Sequence, residues 1–261
     1  MGQVRGGSVA VAAAVLGLVL SGCGQREKPA DVGPPKGPEG VSATGSAPYD
    51  SPEDVPERLA EDGTTIVVGD PDAVVTVHLY EDPRCPYCEE FETTGGGPGL
   101  RDATVTGQAA AEYTLASFLD DKLGGSGSKK AVNALRAALE QGKFAEYHEV
   151  LYDNQPEEIV DGYTDAYLLE LAGEVDGLRG PAFDDAVKTM KYRSFVTASE
   201  KAYEQAGGKE EPGGPGTPSA DINEVRIPGD YKGLLYDAQM FSQLLNDIHE
   251  RPWTWGDQIF E

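Results

Sequence analysis

Cys85 and Cys88 stand three positions apart in the stretch Cys85-Pro86-Tyr87-Cys88. On a helix that spacing brings two thiols to one face, within reach of forming and breaking a disulfide. The apolar run Val74 to Tyr80 lies just upstream and alternates as a buried or half-buried strand does. Cys88-Glu89-Glu90-Phe91-Glu92 reads as the first helical turns, with Pro86 near their start and acids in the N-terminal region. The pair therefore sits where a strand hands over to a helix. Cys85 meets unpaired N–H groups and the positive end of a helix dipole. Both favour the thiolate, the reactive form of cysteine. The chemistry these residues can do is thiol–disulfide exchange.

The rest of the composition bounds the alternatives. The chain has 261 residues and a net charge of −24, from 45 acidic against 21 basic residues. That balance disfavours a nucleic-acid partner, because phosphate binding needs clustered Lys and Arg. Anionic headgroups would repel the body of the protein. A zinc site at the cysteine pair is not expected either. A closed structural site takes about four ligands, and none of His78, His148 and His249 is spaced as a second ligand pair. No metal is assigned, and the exchange chemistry calls for no cofactor.

The N-terminus carries its own pattern. Met1 to Ser8 holds one basic residue, Arg5, and Val9 to Leu20 is apolar. That run is too short to span a bilayer and fits a signal-peptide core. Leu20-Ser21-Gly22-Cys23 resembles the lipobox of bacterial lipoproteins. The resemblance implies cleavage after Gly22, a signal peptide over 1–22, and a lipid on Cys23. Membrane contact would then come through that anchor. An ordinary secretory signal with an incidental cysteine is the plainer alternative. With Cys23 lipidated, Cys85 and Cys88 are the remaining thiols, and no structural disulfide is left over.

Residues 23–57 read as a lipidated terminus and a Pro/Gly-rich disordered linker. A folded domain over 58–261 follows. Thr64 to Gly69 and Val74 to Tyr80 read as strands, Gly95-Gly96-Gly97-Pro98-Gly99 as a flexible loop, and Ala110 to Leu119 as another strand. A helical block occupies about 122–205, with one segment running from Ala182 to Gln205. Ile222 to Ile227 reads as a strand and Tyr236 to Ile248 as a closing helix. The order predicts an α/β domain, a mixed sheet flanked by helices, with an all-helical insertion. Trp253 and Trp255 read as core or lid packing, and the glycine-rich stretches at Gly95 and Gly213 as insertions.

Four stretches resemble the DsbA-like branch of the thioredoxin superfamily: Gly69 to Tyr80, Asp82 to Phe91, Gln141 to His148 with Asn154-Gln155-Pro156, and Gly216-Thr217-Pro218 with the strand after it. The resemblance implies a thioredoxin fold. It implies that Cys85 is the nucleophile, Cys88 the resolving cysteine, and Pro86 and Tyr87 the pair that tunes redox potential. Pro218 matches the family's cis-proline, leaving the backbone of Thr217 free to pair with an extended substrate. A trans loop proline is the alternative. One position departs. Many relatives bury an acid six residues before the first cysteine, where this chain has Leu79. Glu81 and Asp82 lie nearer the pair but are not taken as equivalents, because their strand parity is read as wrong. His78 is read as a packed or surface histidine.

The reading that follows is a lipid-anchored, extracytoplasmic thiol–disulfide oxidoreductase acting on exported proteins, with a membrane redox partner to reset it. Oxidase, reductase and isomerase directions stay open. The uncharged Pro86-Tyr87 pair leads one to expect a less oxidising protein than relatives with histidine there. The alternative is a non-catalytic surface lipoprotein that uses the scaffold to bind a metal or a protein.

Overall fold

The computed structural model describes residues 48–255, together with Gly2. The signal peptide and Cys23 expected from the sequence lie outside the described residues. Regular structure begins before Arg58, so the linker expected to reach Glu57 ends earlier. Pro52–Asp54 forms a 3-10 turn, Val55 is buried, and β1 is Glu57–Leu59. Glu57 explains why this segment is held. Its carboxylate accepts from the N–H groups of Phe144 (2.8 Å) and Ala145 (2.6 Å). These are orphan donors at the N-terminus of helix α5, Phe144–Asp153.

The sheet has six strands in the order β1-β2-β4-β3-β5-β6. The remaining strands are β2 (Ile66–Val68), β3 (Val75–Glu81), β4 (Ala109–Leu115), β5 (Ser219–Ile222) and β6 (Val225–Arg226). Strands β3 and β4 pair in parallel, and every other pair is antiparallel. Strand β3 is central and apolar on its inward side, where Val75, Val77 and Leu79 are fully buried. Between β4 and β5 the chain runs through six helices: α3 (Phe118–Leu123), α4 (Gly127–Leu139), α5, α6 (Asp165–Leu171), α7 (Pro181–Thr189) and α8 (Arg193–Ala206). Helix α4 owes its place to a near-continuous apolar face, from Ala131 to Leu139, buried against α5, α7 and α8. The closing helix, α9, is Ala238–Glu250. Among the described residues no helix is long and apolar enough to cross a membrane.

Several expected elements differ. The strand expected over Ala110 to Leu119 stops at Leu115, and Phe118 opens α3. The segment expected from Ala182 to Gln205 breaks into α7 and α8 at Met190, which takes the left-handed conformation (φ 51°). The strand expected over Ile222 to Ile227 is a hairpin turning at Asn223 and Glu224, both with positive φ.

The glycine run at Gly95 is the sharpest correction. It is no flexible insertion: Gly97 begins helix α2, Gly97–Val105. A Cβ on Gly96 would meet the Phe241 ring at 2.5 Å and the Phe91 ring at 2.9 Å. These glycines let α2 and α9 close over α1, Pro86–Thr93. Trp253 is 78% exposed, so it is not core. Trp255 is half-buried and donates its indole N–H to the Ile222 carbonyl.

Candidate active site

Cys85 is the N-cap of α1, and Pro86 occupies the first helical position, where a missing N–H costs nothing. Strand β3 ends at Glu81, and the turn through Asp82 and Pro83 delivers Cys85 to the helix start. The carbonyl of Cys85 accepts from the N–H groups of Cys88 (3.0 Å) and Glu89 (3.1 Å). Both cysteines are free thiols, and both are buried. They cluster with Leu119 and Tyr152, with Phe118 against them. Tyr87 is exposed and faces Tyr236, with ring centroids 6.4 Å apart.

The two thiols sit in opposed environments. A hydrogen bond from Cys88 holds the Cys85 thiol down to about 6, against the opposing effect of its burial. Hydrogen bonds from Thr217 and from the N–H groups of Cys88 and Tyr87 add to that lowering. Burial pushes Cys88 well above the usual thiol range. One sulfur is therefore poised as thiolate near neutral pH, and its neighbour keeps its proton.

The Thr217–Pro218 peptide bond is cis. It brings the Thr217 carbonyl to 3.3 Å from Cys85 Sγ. Pro218 is buried, and β5 follows directly, paired with β3. The Tyr203 hydroxyl accepts from the Gly216 N–H at 3.2 Å, so α8 holds the loop from behind.

A buried polar frame supports the approach to Cys85. Arg84 is 2% exposed. It donates to Asp120 Oδ1 (2.9 Å) and to the carbonyls of Gly124 (2.8 Å) and Glu158 (2.8 Å). Asp82 accepts from the N–H groups of Arg84 and Leu119 and from the Ser128 hydroxyl (2.6 Å). Burial raises its carboxyl to about 7. Gln155 donates to the carbonyls of Pro83 (2.8 Å) and Cys85 (3.0 Å). The helical insertion thus fixes the cysteine turn through at least three of its own residues.

A buried acid stands at Glu81 on the same strand face as Leu79, contrary to the parity read from the sequence. Glu81 is two residues on, and side chains two apart on a strand share a face. Both are fully buried. Burial pushes the Glu81 carboxyl up to about 8, with the Cys85 charge adding to the rise. Glu81 in turn contributes to the raised thiol of Cys88. Strict counting of β3 parity is the signal that finds it. Glu92 and His148, packed beside Glu81, carried no signal in the sequence, because α1 and α5 meet there only in three dimensions. His78 has the other parity. Its Nε2 lies 2.8 Å from Thr114 Oγ1, its Nδ1 3.4 Å from Glu112, and it stacks on Tyr80.

The thioredoxin family matches residues 61–234, two thirds of the chain. The chain belongs to that family. No curated protein matches it. Within the family the fold is similar to that of BdbD from Bacillus subtilis in its oxidised form (TM-score 0.56, 20% identity, covering 70% of this chain and 92% of that one). It is similar also to MdbA, a thiol-disulfide oxidoreductase from Corynebacterium diphtheriae (TM-score 0.57, 19% identity, 74% and 92%). A third similar structure is oxidised DsbA from Mycobacterium tuberculosis (TM-score 0.52, 22% identity, 74% and 99%). This member of the thioredoxin family therefore shares the DsbA-type arrangement of sheet and helical insertion over nearly the whole length of those proteins.

Proposed function

We propose that the protein is a thiol–disulfide oxidoreductase of the DsbA type. The observation that carries the reading is the low thiol of Cys85 set between the higher thiol of Cys88 and the backbone of Thr217. In the reducing direction, Cys85 thiolate attacks one sulfur of a substrate disulfide. A mixed disulfide forms and the other substrate sulfur leaves as a thiolate. Cys88 gives up its proton and attacks Cys85 Sγ, closing Cys85–Cys88 and releasing the second substrate thiol. Two electrons pass from protein to substrate. Substrate oxidation is the same path reversed.

Glu81, a buried carboxyl electrostatically coupled to both thiols, is suited to exchange a proton with Cys88 when its carboxylate is free. Pro86 and Tyr87 set the local field at Cys85 without adding charge. Thr217 and Pro218 offer backbone to an extended substrate strand. A signal peptide over 1–22 and a lipid on Cys23 would place the domain outside the cytosol on the membrane, where disulfides persist. Its clients would be exported proteins with thiols or disulfides, and a membrane redox protein would reset the pair.

Insulin reduction by dithiothreitol, with and without protein, tests the activity. Acceleration by the wild type and none by Cys85→Ser is expected, and Cys88→Ser should accumulate a mixed disulfide. A wild type as inert as Cys85→Ser would overturn the reading.

A further inference from the structure

Glu81 from β3, Glu92 from α1 and His148 from α5 meet in the interior, each no more than 2% exposed. One ligand-capable atom of each lies within 4.8 Å of the others. The imidazole stands between the carboxylates, with Nε2 3.0 Å from Glu81 Oε2 and Nδ1 4.0 Å from Glu92 Oε2. Each glutamate has a second oxygen to spare. Glu81 Oε1 and Glu92 Oε1 are buried and have no hydrogen-bond partner among the described residues. Buried acceptors without donors are costly, and native proteins satisfy nearly all of them. Two buried carboxylate oxygens without a donor, on side chains that meet at one imidazole, call for an occupant.

We propose that Glu81, Glu92 and His148 form a buried divalent transition-metal site, for which zinc is the best-matched ion. Two lines support it besides the unpartnered oxygens. The donor set, two carboxylate oxygens and one imidazole nitrogen, suits zinc or manganese and not a thiol-seeking ion. It is too small for calcium, which takes six to eight oxygens.

The charges also balance. Arg101 bonds Glu92 Oε2 at 2.7 Å and Glu149 at 3.3 Å. A divalent ion with Arg101 would neutralise the three carboxylates Glu81, Glu92 and Glu149. A cavity of about 30 Å³, roughly one water in size, is lined by His148, Arg101, Glu149 and Tyr113. Glu81, Glu92 and His148 stand too far apart and without motif spacing for this site to be read from the sequence.

The test removes the thiols first, so that it does not depend on disulfide chemistry. In the Cys85→Ser/Cys88→Ser protein, calorimetric titration with Zn²⁺ should show one saturable site per chain. Co²⁺ should give visible d–d bands without a thiolate charge-transfer band. Glu92→Gln and His148→Gln should each weaken Zn²⁺ binding at least about tenfold, with unchanged circular dichroism. Glu112→Gln, on the sheet beside His78, should leave it as it is. Absence of a one-to-one site, or binding that survives both ligand substitutions, overturns the proposal. Should those variants fail to fold, pulsed electron paramagnetic resonance of Mn²⁺ in the thiol-free protein decides instead. Coupling to an imidazole nitrogen supports the site, and its absence sinks it.

Discussion

The carbonyl oxygen of Thr217 lies 3.3 Å from the sulfur of Cys85, across 132 positions of sequence. Helix α1 brings the cysteine to the point, and the loop before β5 brings the carbonyl. The sheet fixes both, since β3 feeds the first and β5 pairs with β3. The Cys85 sulfur therefore has the Cys88 thiol, Thr217 and the N–H groups of Cys88 and Tyr87 as its hydrogen-bonding neighbours. Its chemistry should depend on those groups in measurable ways.

The first expectation concerns pH. The Cys85 thiol stands at about 6, chiefly through the Cys88 hydrogen bond. Its alkylation by iodoacetamide should rise through a midpoint near that value, and Cys88→Ala should move the midpoint upward. A depressed folded value means the unfolded chain binds more protons above it, so the reduced protein gains stability relative to the oxidised one as pH rises from about 6 towards the ordinary thiol value of about 9. Denaturant midpoints of the two redox forms between those limits measure it. A difference that does not change with pH would remove the Cys88 hydrogen bond as the cause.

Arg84 supplies a second expectation. Its guanidinium is buried among Asp120 and two carbonyls. Arg84→Ala leaves Asp120 without that partner and should cost about 3–5 kcal/mol in urea denaturation. Arg84→Lys should restore little of it, since a point charge cannot serve three acceptors in a fixed plane. A loss below about 1 kcal/mol would mean that Ser128 and Lys129, whose N–H groups also reach Asp120, satisfy it alone.

A third expectation separates packing from flexibility at the glycine run. Gly96→Ala drives a methyl into Phe241 and Phe91. It should cost about 1–3 kcal/mol by overpacking. Gly213→Ala, where a methyl meets nothing within 4 Å, should lie within about 0.5 kcal/mol of wild type. Thermal unfolding of the two variants side by side checks the contrast, and equal effects would contradict the packed α2 start.

Much of this protein is legible in one dimension because its signals are local. The strand before Cys85, the proline at the helix start and the apolar stripe of α4 each follow from neighbours a few residues away. The sequence determined that a dithiol stands at a strand-to-helix junction, and that a helical block interrupts an α/β chain. It did not show where local pattern yields to packing. Glycines at 95–97 look like a loop until Phe241 and Phe91 need the space. Glu57 looks like linker until α5 presents its free N–H groups.

Only the tertiary structure decided which groups surround the sulfurs and carboxylates. Glu81, Glu92 and His148 come from a strand and two helices. Gln155 and Arg84 join the insertion to the cysteine turn. Thr217 reaches Cys85 through the sheet. Burial sets the protonation of the carboxyls and of Cys88, and a through-space hydrogen bond sets that of Cys85. Burial and through-space contact belong to the folded chain and to no single stretch of it.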